Sequence, residues 1–134
     1  MFTIIRTIGG ITRTIQADSN KNFKELGLNN NLFIYIIRVC EQPGMFLGQL
    51  ADAIQIDRST SFRTVKKLVQ QGYLQVENDK DNQKIKRVYP TQKARDIYPQ
   101  LHQYEKDQSD KLLDKLSSEE KEALAELLLK IAPY

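Results

Sequence analysis

Asp57-Arg58-Ser59-Thr60-Ser61-Phe62-Arg63-Thr64-Val65-Lys66-Lys67-Leu68-Val69-Gln70-Gln71-Gly72 is the stretch on which the fold turns. Asp57 suits an N-cap, because its carboxylate can accept the free amide hydrogens of a first helical turn. Gly72 stands where a helix stops, since glycine enters the left-handed conformation without a Cβ penalty. Between them Phe62, Val65, Leu68 and Val69 recur at spacings of three and four and predict one apolar stripe facing inward. At about 100° per residue the other side carries Ser59, Thr60, Arg63, Lys67 and Gln70, with Lys66 beside them and no carboxylate. Such a helix suits the DNA major groove, hiding one side and offering hydrogen-bonding and cationic groups on the other. Taken alone, a basic helix face is more often simply solvated, so the flanking segments decide.

Upstream, Leu47-Gly48-Gln49-Leu50-Ala51-Asp52-Ala53-Ile54 predicts a short helix with Leu47, Leu50 and Ile54 on one face. Gln55-Ile56 turn the chain into the 57–72 segment, which makes the pair a helix-turn-helix pattern. Before it, residues 30–41 are apolar on nearly every side and predict a buried central helix ended by Pro43-Gly44, after which Met45-Phe46 supply a very short strand. Residues 19–30 read as a loop around a short turn. Ile4, Ile8, Ile11 and Ile15 predict a helix over about 3–18, weakened by Gly9-Gly10 at roughly 1 kcal/mol each.

Downstream, the period changes to two. Tyr73 to Glu77 and Ile85 to Tyr89 predict two strands joined by the polar segment 78–84, a β-hairpin or wing, with Pro90 trimming the second strand. Thr91 caps a long helix running toward Leu116, with a kink or break expected at Pro99. Ser117 and Glu120 form a capping box opening a last helix, ended by Pro133, with Leu124, Leu127, Leu128 and Ile131 on one face.

The 134 residues suit one domain with its own core, mainly α with a small β-hairpin, an α+β class. The net charge of +3 hides a strong polarity. From Arg58 to Lys93 nine Lys or Arg face three acids, a balance of +6 that points to a polyanionic partner. From Glu105 to Glu126 eight acids face four lysines. No stretch approaches the roughly twenty apolar residues of a membrane span, and Arg6 interrupts the only apolar run that could serve as a secretory signal. The single cysteine excludes an intrachain disulfide and fits a reducing cytoplasm.

The order helix, helix, short helix, recognition helix, hairpin, long helix, last helix resembles the MarR family of winged helix-turn-helix transcriptional regulators. The likeness is carried by Gln49-Leu50-Ala51, by Asp57-Arg58-Ser59-Thr60 with Arg63, Val65, Leu68 and Gly72-Tyr73-Leu74, and by Asp79, Asp81, Arg87-Val88-Tyr89 and Thr91-Gln92-Lys93. It implies a winged lobe over about 30–90, dimerisation helices at 1–18 and 91–134, and a cytoplasmic homodimer, most often a repressor, reading a near-palindromic operator in double-stranded DNA. By position, Arg58, Ser59, Thr60, Ser61 and Arg63 fall where relatives meet bases and phosphates. Lys84 and Asn82 stand where relatives usually place the wing-tip Arg and Asp, and Lys lacks the planar fork that suits a narrow minor groove. Phe46 replaces the usual Ser or Thr cap.

From charge and exposure, Arg63 is best placed for a bidentate guanine contact, and Lys66, Lys67, Lys84, Lys86 and Arg87 supply the salt-dependent part. The dimerisation faces are expected at Ile4, Ile8, Ile11 and Ile15, at Leu112 and Leu116, and at Leu124, Leu127, Leu128 and Ile131. The resemblance also implies a small-molecule effector site, for which Tyr35, Arg38, Tyr98, His102 and Tyr104 are the candidate residues. Core packing is the commoner role for such tyrosines. Cys40, in the most apolar helix, reads as packing rather than as a redox sensor. A lone His102 without a partner at ligand spacing gives no metal site, and no cofactor motif or catalytic constellation is present. The competing reading, from a different class, is a winged-helix protein-interaction module or antagonist of another regulator, which the substituted wing tip favours slightly.

Overall fold

The core of the computed structural model, which describes residues 1–133, is built around helix α2 (Leu32–Glu41), as expected for a helix apolar on nearly every side. Leu32, Phe33, Tyr35, Ile36, Ile37 and Val39 are all buried. Asn30 and Asn31 take left-handed conformations just before it, a region that asparagine tolerates better than most residues. Against α2 pack α3 (Leu47–Ile54) and the recognition helix α4 (Arg58–Gln70), which bury Leu50, Ala51, Val65 and Leu68. Burial of side chains this size stabilises by roughly 1.5–3 kcal/mol each.

A three-stranded antiparallel sheet of order β1-β3-β2 closes the lobe, formed by β1 (Met45–Phe46), β2 (Leu74–Asn78) and β3 (Lys86–Pro90). Met45 pairs with Val88, and Val76 pairs with Val88 from the other side, so the expected short strand is the third member of the wing sheet. Pro90 does not trim β3. It is the last residue of the strand, opposite Leu74, where its missing N–H costs little, and the Thr91 amide continues the ladder to the Tyr73 carbonyl.

Helix α1 (Phe2–Phe23) runs five residues beyond the expected end, into the segment read as a loop, while the rest of that segment is turn. Ser19 and Phe23 explain this, because both are buried at its C-terminal end. Phe23 meets Phe33 and Tyr104 at ring-centroid distances of 4.6 Å each, so core packing outweighs the weak helix preference of the Asn-rich segment. Gly9 and Gly10 do not interrupt the helix. Helix α5 (Gln92–Leu112) passes Pro99 without a break and ends four residues short of Leu116. Helix α6 (Ser118–Ile131) opens on the expected reciprocal cap, with Ser117 N donating to Glu120 and Glu120 N donating to Ser117 Oγ.

Helix α6 buries no side chain of its own, and α1 buries only Ser19 and Phe23. Ile4, Ile8, Ile11, Ile15, Leu112, Leu124, Leu127, Leu128 and Ile131 are exposed, and Leu116 is half-buried. No helix among the described residues is long and apolar enough to cross a membrane.

Candidate nucleic-acid interface

The recognition helix begins as its sequence dictates. Asp57 is extended, and its carboxylate accepts a 2.9 Å hydrogen bond from Thr60 N. That backbone bond, helped by the Thr60 hydroxyl, holds the Asp57 carboxyl below the usual carboxylate range. At the other end Gly72 has φ +84°, the left-handed conformation expected of it. The Gly72 corner is tied to α5, with Thr91 Oγ1 donating to the Gly72 and Tyr73 carbonyls and Lys93 Nζ donating to the Gln71 carbonyl at 2.8 Å. Lys93, counted among the basic residues of the middle segment, is therefore an internal clamp that also covers the Tyr73 ring.

The buried line of α4 differs from the expected one. It runs through Ser61, Val65 and Leu68, at spacings of four and three, and not through Phe62 and Val69, which are 43% and 39% exposed. Ser61 is completely buried and its Oγ finds no hydrogen-bond partner, so it is no DNA contact. Ser59, Arg63, Lys66, Lys67 and Gln70 remain exposed, as expected. Arg63 Nη2 donates to Thr60 Oγ1 at 3.3 Å, which draws the guanidinium along the outward face.

Arg58 is held back instead. Its guanidinium lies over Gly48, where an added Cβ would come within 3.1 Å of Cζ, and it reaches Asp52 at 3.7 Å. Arg87 departs most from expectation. Its Nε donates to Asp79 at 2.7 Å, its Nη1 donates to the Gly44 carbonyl at 2.7 Å, and its guanidinium lies 4.2 Å from the Phe46 ring centroid. Arg87 thus braces the wing through its Nε and Nη1. Asp79 also accepts from the amides of Asp81 and Asn82, and these bonds, led by the one from Arg87, hold its carboxyl below the usual range. The missed signal is cross-strand. Glu77 pairs with Arg87, which places Asp79 on the diagonal within reach of a long side chain. Phe46 caps α3 with its backbone, since its amide donates to the Gln49 side chain at 2.9 Å. At the tip, Asn82 Oδ1 accepts from Lys84 N, while Lys84 and Lys86 stay exposed.

The five candidate effector residues are engaged in different ways within the chain. Tyr104 donates to the Asp18 carboxylate and packs on Phe23 and Phe33. Burial, then this carboxylate, pushes its hydroxyl far above the ordinary tyrosine value. Tyr98 stacks on His102 at 5.5 Å, and Tyr35 is buried. Arg38 bridges Glu41 at 3.0 Å and Glu105 at 3.3 Å. Only Arg38 borders the open depression of about 350 Å³ formed with Glu41, Gln42, Met45 and Ala53. Burial raises the Cys40 thiol pKa, with Arg95 pulling weakly the other way, so the thiol is a poor nucleophile.

A helix-turn-helix, a braced wing beside it and a carboxylate-free outward face on its second helix define the class, a winged helix-turn-helix protein. Residues 28–86 match the sequence profile of the MarR family. The HTH-type transcriptional regulator YybA of Bacillus subtilis (strain 168) is 38% identical over 131 residues, 98% of this chain and 87% of that protein. The transcriptional regulator SlyA of known structure, 38% identical, superposes with a TM-score of 0.88 over 96% of this chain and 90% of its own. A MarR family regulator of Listeria monocytogenes, 34% identical and solved with a 26mer DNA, superposes with a TM-score of 0.86 over 95% of this chain and 85% of its own. The chain belongs to the MarR family of transcriptional regulators.

Proposed function

We propose that this protein is a homodimeric repressor in the cytoplasm that binds a near-palindromic operator, with α4 in the major groove and the 78–84 wing on the flanking backbone. The observation that carries the reading is the outward face of α4: Ser59, Arg63, Lys66, Lys67 and Gln70 are exposed together, while Val65 and Leu68 anchor the helix from behind. A similar chain, the Listeria regulator, was solved with a 26mer DNA. Arg63 reads a base edge, Ser59 and Thr60 meet phosphate near the helix N-terminus, and Lys66, Lys67, Lys84 and Lys86 supply counterion release. The work is binding, with no catalytic step.

The apolar faces of α1 and α6 support the dimer. Leu127 is 59% exposed and Ile131 64% exposed, left open by the described residues of their own chain. A second shallow surface, of about 410 Å³, is bounded by Thr7, Gly10, Ile11, Thr14, Ile15 and Leu112, with open space beside Gly10 for a neighbouring helix. Because Tyr104 is bonded to Asp18 and Arg38 to Glu105, an effector that engages them displaces an internal partner.

Fluorescence anisotropy with duplex fragments of the protein's own promoter region tests the reading. Affinity should fall linearly with salt on logarithmic axes, with a slope of about −0.9 per phosphate neutralised. Binding indifferent to salt, or a stable complex with another regulator and none with DNA, would contradict it.

A further inference from the structure

Phe62 is the one aromatic side chain of α4, and the DNA reading leaves its place unused. It is the fifth residue of the helix, in the half where recognition helices meet base edges, and 43% of its surface is exposed. One residue on from buried Ser61, it lies about 100° round the helix from the core line. Its surface neighbours at three and four residues are Arg58, Ser59 and Lys66, all exposed, and Arg63 follows it directly. The aromatic packing of the fold lies elsewhere, in the Phe23–Phe33–Tyr104 cluster and the Tyr98–His102 pair. A half-exposed phenyl ring on a helix whose neighbouring exposed positions include Arg63 and Lys66 is poorly matched to an ordinary protein interface, whose core is depleted of lysine. It matches a surface that is anionic overall and carries isolated apolar groups.

The major groove is such a surface, and its one apolar group is the C5-methyl of thymine. We infer that Phe62 is a specificity-determining residue that packs on a thymine methyl, beside the base contacted by Arg63. The inference rests on the DNA reading above and adds a base identity to it. Sequence periodicity assigned Phe62 to the core, and its exposure is what frees it for this role.

A duplex selected by the wild-type protein from a randomised library is prepared twice, once with thymidine and once with every thymidine replaced by deoxyuridine, which lacks only the methyl. Wild-type protein should bind the deoxyuridine duplex about fourfold more weakly for each methyl buried. Phe62→Ala should bind the thymidine duplex more weakly than wild type and respond to the exchange little or not at all. Wild type binding both duplexes equally tightly would overturn the inference and leave the DNA reading standing. The same holds if Phe62→Ala loses as much as wild type on the exchange, since another group would then read the methyl. Failure of wild type to select any duplex would remove both. The wild-type comparison needs no variant, so it can overturn the inference whether or not Phe62→Ala folds.

Discussion

Ser61 shows how a single hydroxyl separates two functional accounts of α4. Buried with an unpartnered Oγ, it costs stability and gains nothing from DNA. Ser61→Ala should therefore raise stability by about 1 kcal/mol, seen as a thermal midpoint a few degrees higher, and leave DNA affinity unchanged. Weaker DNA binding by a fully folded Ser61→Ala protein would reinstate the residue as a contact. The sequence could not make this choice. The buried line 61–65–68 and the expected stripe 62–65–68–69 share Val65 and Leu68 and are both built from spacings of three and four, so periodicity marks the helix but not its rotation. The arginines illustrate the same limit, because charge is legible in a sequence and engagement is not. Arg63 is outward and available, Arg58 leans on α3, and Arg87 is consumed by Asp79 and Gly44.

At the scale of the element, the wing depends on Asp79. Its carboxyl pKa is depressed, so its ionised form stabilises the wing above the ordinary aspartate value of about 3.9. That contribution is lost as pH falls through the lower folded value. The wing should stay ordered at neutral and mildly acid pH and loosen only below about pH 4, followed through the amide chemical shifts of Asp81 and Asn82. Titration of those shifts between pH 5 and 7 would contradict this. Arg87→Lys should loosen the wing at neutral pH, because a lysine cannot hold Asp79 and Gly44 together with a planar fork. The hairpin itself was readable from its period-two strands and polar tip, as was α3 from its short apolar face. The α1 extension was not, since Asn20, Asn22 and the Asn29-Asn30-Asn31 run carry turn chemistry, and only the burial of Ser19 and Phe23 overrides it.

At the scale of the molecule, two helices extend apolar faces that their own chain leaves bare. Because α6 buries no side chain, Leu127→Glu together with Ile131→Glu should leave the winged lobe folded and give a monomer in sedimentation, with DNA affinity reduced at least tenfold through loss of the second half-site. An unchanged dimer would place the interface elsewhere. These faces were legible because isoleucine and leucine at helical spacing with no covering segment leave few alternatives. The internal partners of Tyr104 and Arg38 were not legible, because nothing in composition or spacing says that Tyr104 already has Asp18 and Arg38 already has Glu105.

The central claim is that the outward face of α4 lies in the major groove, and guanine N7 is the groove atom that reports it. Dimethyl sulfate probing of a bound duplex should show protected guanine N7 positions, and Arg63→Ala should reopen at least one in each half-site while costing about 1–3 kcal/mol of affinity. Tight binding with every guanine N7 fully reactive, or a protection pattern that Arg63→Ala leaves unchanged, would contradict the account.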